Sequence, residues 1–291
     1  MTPRRTNSGF VLLVTILVVA LAAVALVAAG RYSSSQAITA VRAARDLQRR
    51  WAATSLQGTL LPLAEQLLAD AQQQFDDPQV SVRLTITLSA KDYELVIGDE
   101  QAKVNVNALH PQLDRVEADL QIRQLLSGLA GDLVIDLRPY QPPLIGSAKL
   151  LPLASFGQVF EQPSPQALIG SDLETDGAAA NITCWGDGRL NFRRASRAAL
   201  LALCIPTLDD RKIDQLLLAR SDNPEISLAA ALEAIELEDE DRDRLTRILT
   251  DTSRCHSLWA IHRDSQRAWY YLAVQTVDED SRAADPLAFQ W

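Results

Sequence analysis

Residues 10–29, FVLLVTILVVALAAVALVAA, hold twenty consecutive residues with Thr15 as the only polar side chain. About twenty apolar residues at helical rise match the hydrocarbon thickness of a bilayer, so this run constrains the chain more than any other feature. Arg4 and Arg5 precede it, and Arg31, Arg42, Arg45, Arg49 and Arg50 follow it, so flanking charge leaves the orientation open. A secretory apolar region is usually shorter, about 7–15 residues, and ends at a small-x-small cleavage site. The stretch AVALVAAG resembles such a site, so a cleaved signal peptide stays open as an alternative.

The helical pattern continues beyond this run. Between Arg31 and Phe75 the only proline is Pro62 and the only glycine Gly58. Leu56, Leu60, Leu63 and Leu67 follow the spacing of an amphipathic stripe, with Pro62 expected to kink or interrupt it. A membrane helix running into an amphipathic one is more than an anchor requires. The period then changes to two. Alternation of Val80, Val82, Leu84, Ile86 and Leu88, and of Tyr93, Leu95 and Ile97, predicts an antiparallel hairpin. A third short alternation follows in AKVNVNAL.

Leu113, Val116, Leu120 and Leu125 predict one face of a helix near 111–130, and residues 139–181 read as loops around one or two short helices. NITCWGDGRLNF reads as a hairpin, with glycines suited to a turn of positive φ. At least four short helices are expected next. Thr207 is the expected cap of one, whose buried face comprises Leu208, Ile213, Leu216 and Leu217. Two strands, CHSLWAIHR and RAWYYLAVQTV, close the pattern. A chain that ends in strands like those it began with suggests an insertion within one sheet, and a second, separate sheet fits the same pattern.

Chemistry is sparse. Cys184, Cys204 and Cys255 lack the paired spacing of zinc or redox sites, and buried apolar packing is their plainest reading. His256 and His262 share a strand parity without a Cys or acidic partner at metal spacing. The acidic runs Glu236–Asp243 and Asp172, Glu174, Asp176 offer oxygen atoms for calcium without the glycine punctuation of a binding loop. The first also suits a helix N-terminus. No nucleophile motif, phosphate loop or dinucleotide fingerprint is present. The net charge of −9 disfavours nucleic acid as a partner. LLALCIPTLDDRKIDQLLLAR has the rhythm of a helix-hairpin-helix element but no glycine in its turn, so a membrane-anchored DNA-binding or uptake module is the runner-up reading.

GDEQAKVNVNAL is similar to a strand motif of the type II secretion system minor pseudopilin K family, and ITCWGDGRLNFRRASRAALLAL resembles the second motif of that family. The Gly9–Phe10 junction after a short basic leader resembles its prepilin-peptidase site. The resemblance runs from Gly9 to about Val277. Departures are Ala102 in place of a glycine, and Arg193-Arg194-Ala195 where the family tends to read Asn-Thr-Ala.

The resemblance implies an α+β fold: a long N-terminal helix beginning in the membrane, and an antiparallel sheet with a helix-rich domain inserted between its strands. The expected divisions are a leader at 1–9, the N-terminal helix at 10–75, the first part of the sheet at 76–107, the insertion at 108–254, the final strands at 255–277 and a tail at 278–291. It further implies a non-enzymatic subunit at the pseudopilus tip, assisting pseudopilus initiation and protein export. Its partners would be minor pseudopilins I and J, the major pseudopilin and the prepilin peptidase. The expected location is the inner membrane, with a single span and the globular part in the periplasm. Processing would cut before Phe10 and methylate the new amine. No cofactor is required; calcium is a family possibility with no ligands assigned here. Val14 stands at the fifth position after the junction, where pseudopilins usually carry Glu. A subunit with no neighbour above it gains by lacking that carboxylate.

Overall fold

The computed structural model describes residues 8–75, 78–88, 91–113, 115–127, 136–138, 152–170, 176–204, 207–263, 268–278 and 283–291. The chain divides into two compact units, one reaching Thr54 and the other running from Ser55 to Trp291.

Helix α1 spans Ser8–Leu60 without a break. From Phe10 onward its apolar run is exposed, and it is long and apolar enough to cross a membrane. Pro62 has no amide hydrogen to donate, and the helix tightens to a 3₁₀ turn at Leu61–Leu63 before α2 (Ala64–Phe75) resumes. The buried face here is Leu56, Leu61, Ala64, Leu68 and Ala71, whereas Leu63 is 45% exposed. The leucine stripe expected from sequence is therefore displaced after Leu56. Two alanines let α2 approach β1 (Ser81–Leu88), β2 (Lys91–Asp99) and β7 (Cys255–Arg263) closely, and counting leucines alone overlooks them.

β1 and β2 form the expected antiparallel hairpin, with Ser81 opposite Gly98 and Leu88 opposite Lys91. The next partner of β2 is not its neighbour in sequence. It pairs antiparallel with β7 (Cys255–Arg263), Asp99 opposite His256, and the sheet continues through β8 (Ala268–Thr276) to β9 (Leu287–Gln290). The fold is α+β, with a helix-rich stretch inserted between strands of one antiparallel sheet. The expected tail contains a sheet strand. Phe289 packs at 5.9 Å from Trp185 and Trp291 stacks at 5.6 Å on Trp259, an aromatic anchorage invisible behind the preceding acidic and proline-containing stretch.

Within the insertion, β3 (Val104–Asn105) is only two residues long and leads at once into α3 (Val106–Leu109). Helix α4 (Arg115–Ser127) buries Ala118, Ile122 and Leu125 and exposes Val116 and Leu120, so the expected face is wrong at two positions. An alanine again sets the true stripe. Helices α5 (Phe156–Val159) and α6 (Pro165–Ile169) follow. NITCWGDGRLNF is not a hairpin. β4 (Ile182–Thr183) pairs in parallel with β3, while β5 (Leu190–Asn191) pairs in parallel with β6 (Leu249–Thr250). Gly186 and Gly188 between them have φ of 91° and 87°, the left-handed region that a Cβ disfavours.

Helices α7 (Arg197–Cys204), α8 (Asp210–Asp222), α9 (Leu228–Glu233) and α10 (Asp239–Ile248) complete the insertion. Asp209, not Thr207, caps α8, accepting from the Lys212 amide at 2.8 Å. The Thr207 amide donates to Cys204 O at 2.8 Å, and its buried hydroxyl has no hydrogen-bond partner among the described residues. Leu208, Ile213 and Leu216 are buried as expected, and Leu217 half so. The glycine-free turn at Ile205 and Pro206 lies outside the described residues.

Candidate functional site

The two segments that carry the family resemblance meet where the insertion leaves the sheet. Each contains a strand-exit asparagine playing one role. Asn105 Oδ1 accepts from the Asn107 amide at 2.9 Å, and Asn191 Oδ1 accepts from the Arg193 amide at 3.2 Å. An asparagine that bonds the backbone two residues on turns a strand into a helical or turn conformation. The other end of each side chain then crosses to the opposite motif. Asn105 Nδ2 donates to Trp185 O at 2.7 Å, and Asn191 Nδ2 donates to Asp99 Oδ2 at 2.9 Å.

Asn107 adds a second crossing, donating to Cys184 O and Leu153 O at 2.9 Å each and accepting from the Leu153 amide at 2.7 Å. Gln101 Nε2 reaches Asp187 Oδ1 at 2.6 Å. Thus the WGDG turn is fastened to the first motif by side chain and main chain alike.

Beneath these contacts lie charges that are rarely buried unless paired. Asp99 is fully buried at the end of β2. Its Oδ1 accepts from the Gln101 and Ala102 amides at 2.9 and 3.1 Å and from Ser253 Oγ at 2.5 Å; its Oδ2 accepts from Asn191 and from Arg194 Nη1 at 3.3 Å. Glu100 is buried beside it and accepts from Lys103 Nζ, Thr183 Oγ1 and Ser257 Oγ. Arg194, also buried, forks onto Glu65 of α2 at 2.7 and 2.8 Å, and His256 Nε2 lies 3.1 Å from the same carboxylate.

Three carboxylates, Asp99, Glu100 and the part-exposed Glu65, therefore share two cations, Lys103 and Arg194, with the His256 ring alongside, and the two buried carboxylates have donors on both oxygens. Such a centre fixes four segments in one arrangement; it presents no activated nucleophile. Removing one member would leave an uncompensated buried charge, which costs about 3–5 kcal/mol in buried pairs.

The sequence departures acquire roles here. Arg194 supplies the buried guanidinium. Arg193 points elsewhere, donating to Glu225 O at 3.1 Å and pairing with its carboxylate at 3.3 Å. Glu65 gave no signal in sequence, being one of two acids in an amphipathic helix.

Gly9 and Phe10 lie in the first turns of α1, and Phe10 is exposed. The histidines are structural: His256 joins the network above, and His262 Nδ1 lies 2.9 Å from Asp92 O with its ring tilted on Tyr93. Glu238 precedes α10, and Asp239, Glu240 and Asp241 occupy its first turn, the dipole-complementing placement. Asp176 pairs with Arg83 at 3.2 Å; Asp172 and Glu174 lie outside the described residues. Among the described residues no group of three or more His, Cys, Asp or Glu is placed to hold a metal ion. All three cysteines are free and buried.

Fold and site together define an α+β chain with an exposed apolar N-terminal helix and a polar lock at the root of an inserted helical stretch. No protein-family model and no curated protein matches it. It is similar to a chain in the crystal structure of the GspK-GspI-GspJ complex from the type 2 secretion system of enterotoxigenic Escherichia coli. That similarity has 15% sequence identity and a TM-score of 0.49, covering 85% of this chain and 99% of the other.

Proposed function

We propose that the chain is a K-type minor pseudopilin, a structural subunit at the tip of a type II secretion pseudopilus. One observation carries this reading. The two segments that resemble the family's motifs are remote in sequence, yet their asparagines perform matching turns and bond each other's segments. A chance resemblance in two places gives no reason for that reciprocity.

The exposed helix from Phe10 supplies the inner-membrane anchor before assembly and a packing surface among neighbouring helices afterwards. Val14 belongs to this account, since an apolar side chain at that level needs no counter-charge in an apolar layer. The prepilin peptidase removes residues 1–9 and methylates the amine of Phe10. The globular part stands in the periplasm, where minor pseudopilins I and J join it and the major pseudopilin extends the filament below. The subunit assists initiation and export by assembly and performs no catalysis.

The N-terminal sequence of the mature protein, determined from cells with and without prepilin peptidase, tests this. The expected result is an N-methylated Phe10 start with the peptidase and an intact leader without it. A start near Arg31, or an unprocessed Met1 in both strains, overturns the proposal.

A further inference from the structure

Beyond Ala29, α1 continues as helix and carries five arginines against a single acid, Asp46, in a chain whose net charge is −9. At about 100° per residue, Arg31, Arg42, Arg45 and Arg49 fall within roughly 60° of arc. Ile38 lies within the same stripe and Val41 beside it, both more than half exposed. Arg31, Arg42, Arg45 and Arg50 are exposed, and none has an ion-pair partner among the described residues; Arg49 meets Asp46 only loosely, at 3.7 Å. A line of cations of which only the part-exposed Arg49 has a partner calls for anions.

Two sources offer them: lipid headgroups and protein carboxylates. Helical rise decides between the two. With the span ending at Ala29, Arg31 lies about 3 Å past the hydrocarbon edge, within the headgroups. Arg42 lies about 20 Å out and Arg49 about 30 Å, and a typical tilt of about 20° shortens these heights only slightly. The headgroup layer adds about 5–7 Å, and the Debye length is about 8 Å at physiological salt. Arg42, Arg45 and Arg49 are therefore beyond the electrostatic reach of the membrane surface.

Their spacing of three and then four residues, with apolar Ile38 and Val41 alongside, is that of a seam between paired helices. We propose that Arg42, Arg45 and Arg49 form an interface for the helix of a neighbouring pseudopilin that presents carboxylates at the same three- and four-residue spacing. Guanidinium groups suit this contact, since each can grip a carboxylate through two parallel hydrogen bonds. The inference rests on the pseudopilin reading above, and it adds where on the helix the neighbour binds and by what chemistry.

The test uses the full-length tagged chain, isolated in detergent from cells carrying the whole secretion system. Minor pseudopilins I and J and the major pseudopilin are quantified in the eluate for wild type, the triple variant Arg42→Glu/Arg45→Glu/Arg49→Glu, and the triple lysine variant at the same positions. Reversing three charges is expected to lower recovery of at least one of these proteins about tenfold or more, the lysine variant keeping most of it. Added salt lowers wild-type recovery in the same way. Equal recovery by wild type and the glutamate variant overturns the interface. So does a glutamate variant that keeps its partners but loses association with phosphatidylglycerol vesicles, because the anion would then be lipid. N-terminal sequencing of each sample separates the two proposals. A Phe10 start with unchanged partner recovery removes the interface alone, whereas a wild-type start elsewhere removes the pseudopilin reading itself.

Discussion

Glu65 places one carboxylate between the Arg194 guanidinium and the His256 ring. Burial by itself would raise its pKa, but hydrogen bonds from His256 and Arg194, with their charges, outweigh that and bring it from 4.5 down to about 2. The folded value lies below the unfolded one, so the stabilisation is complete above about pH 4.5 and is lost as pH falls towards 2. The Glu65 side chain remains 55% exposed, so solvent screens much of the effect. Urea midpoints across this window should fall more steeply for wild type than for Glu65→Gln, with the two curves converging near pH 2. Curves that stay parallel would show that Glu65 is not held by this network. At this scale the sequence revealed which residues depart from the family pattern without revealing what they do. Arg193 and Arg194 are neighbours in sequence, yet one is a surface pair and the other a buried clamp on a helix 129 residues away. That distinction belongs to tertiary structure.

Elements with strong periodicity were legible: the long helix, the β1–β2 hairpin and the β7–β8 pair all stand where alternation and helical spacing place them. Three kinds of element were not. Helix faces built on alanine, as at Ala64, Ala71 and Ala118, were misassigned by following the larger aliphatic residues. Two-residue strands paired in parallel across the insertion carry no periodicity of their own. β9 was hidden because its anchorage is aromatic and long-range. The candidate site was legible in outline through its two motifs, while its charged partners on α2 and β7 were not. A pair of truncations tests the corrected face of α2. Leu68→Ala removes a fully buried side chain and should cost about 2–5 kcal/mol. Leu63→Ala, at a position 45% exposed, should cost under about 1 kcal/mol. Guanidinium unfolding of the detergent-solubilised chain, followed by tryptophan fluorescence, measures both. The reverse order of costs would restore the stripe expected from sequence.

Across the whole molecule the three thiols report on global opening. Burial pushes Cys204 and Cys255 up to about 12 and Cys184 higher still, so little thiolate exists at pH 8 even before access is considered. Iodoacetamide at pH 8 should leave all three unmodified in the native protein and label all three in denaturant, as mass spectrometry would count. Native labelling of any one would identify a part of the fold that opens locally. The pairing of β2 with β7 has a separate consequence for how the chain reaches this state. β2 acquires its second neighbour only after residues 100–254 have been made and passed, so the sheet cannot close while the polypeptide is still emerging. Pairings of such sequence separation are slow to form, and until then the outer edge of β2 is an open template for other strands. The newly made protein is thus most vulnerable to aggregation in the interval before residues 255–263 emerge, so the pace of synthesis through the insertion sets how long that edge stays open.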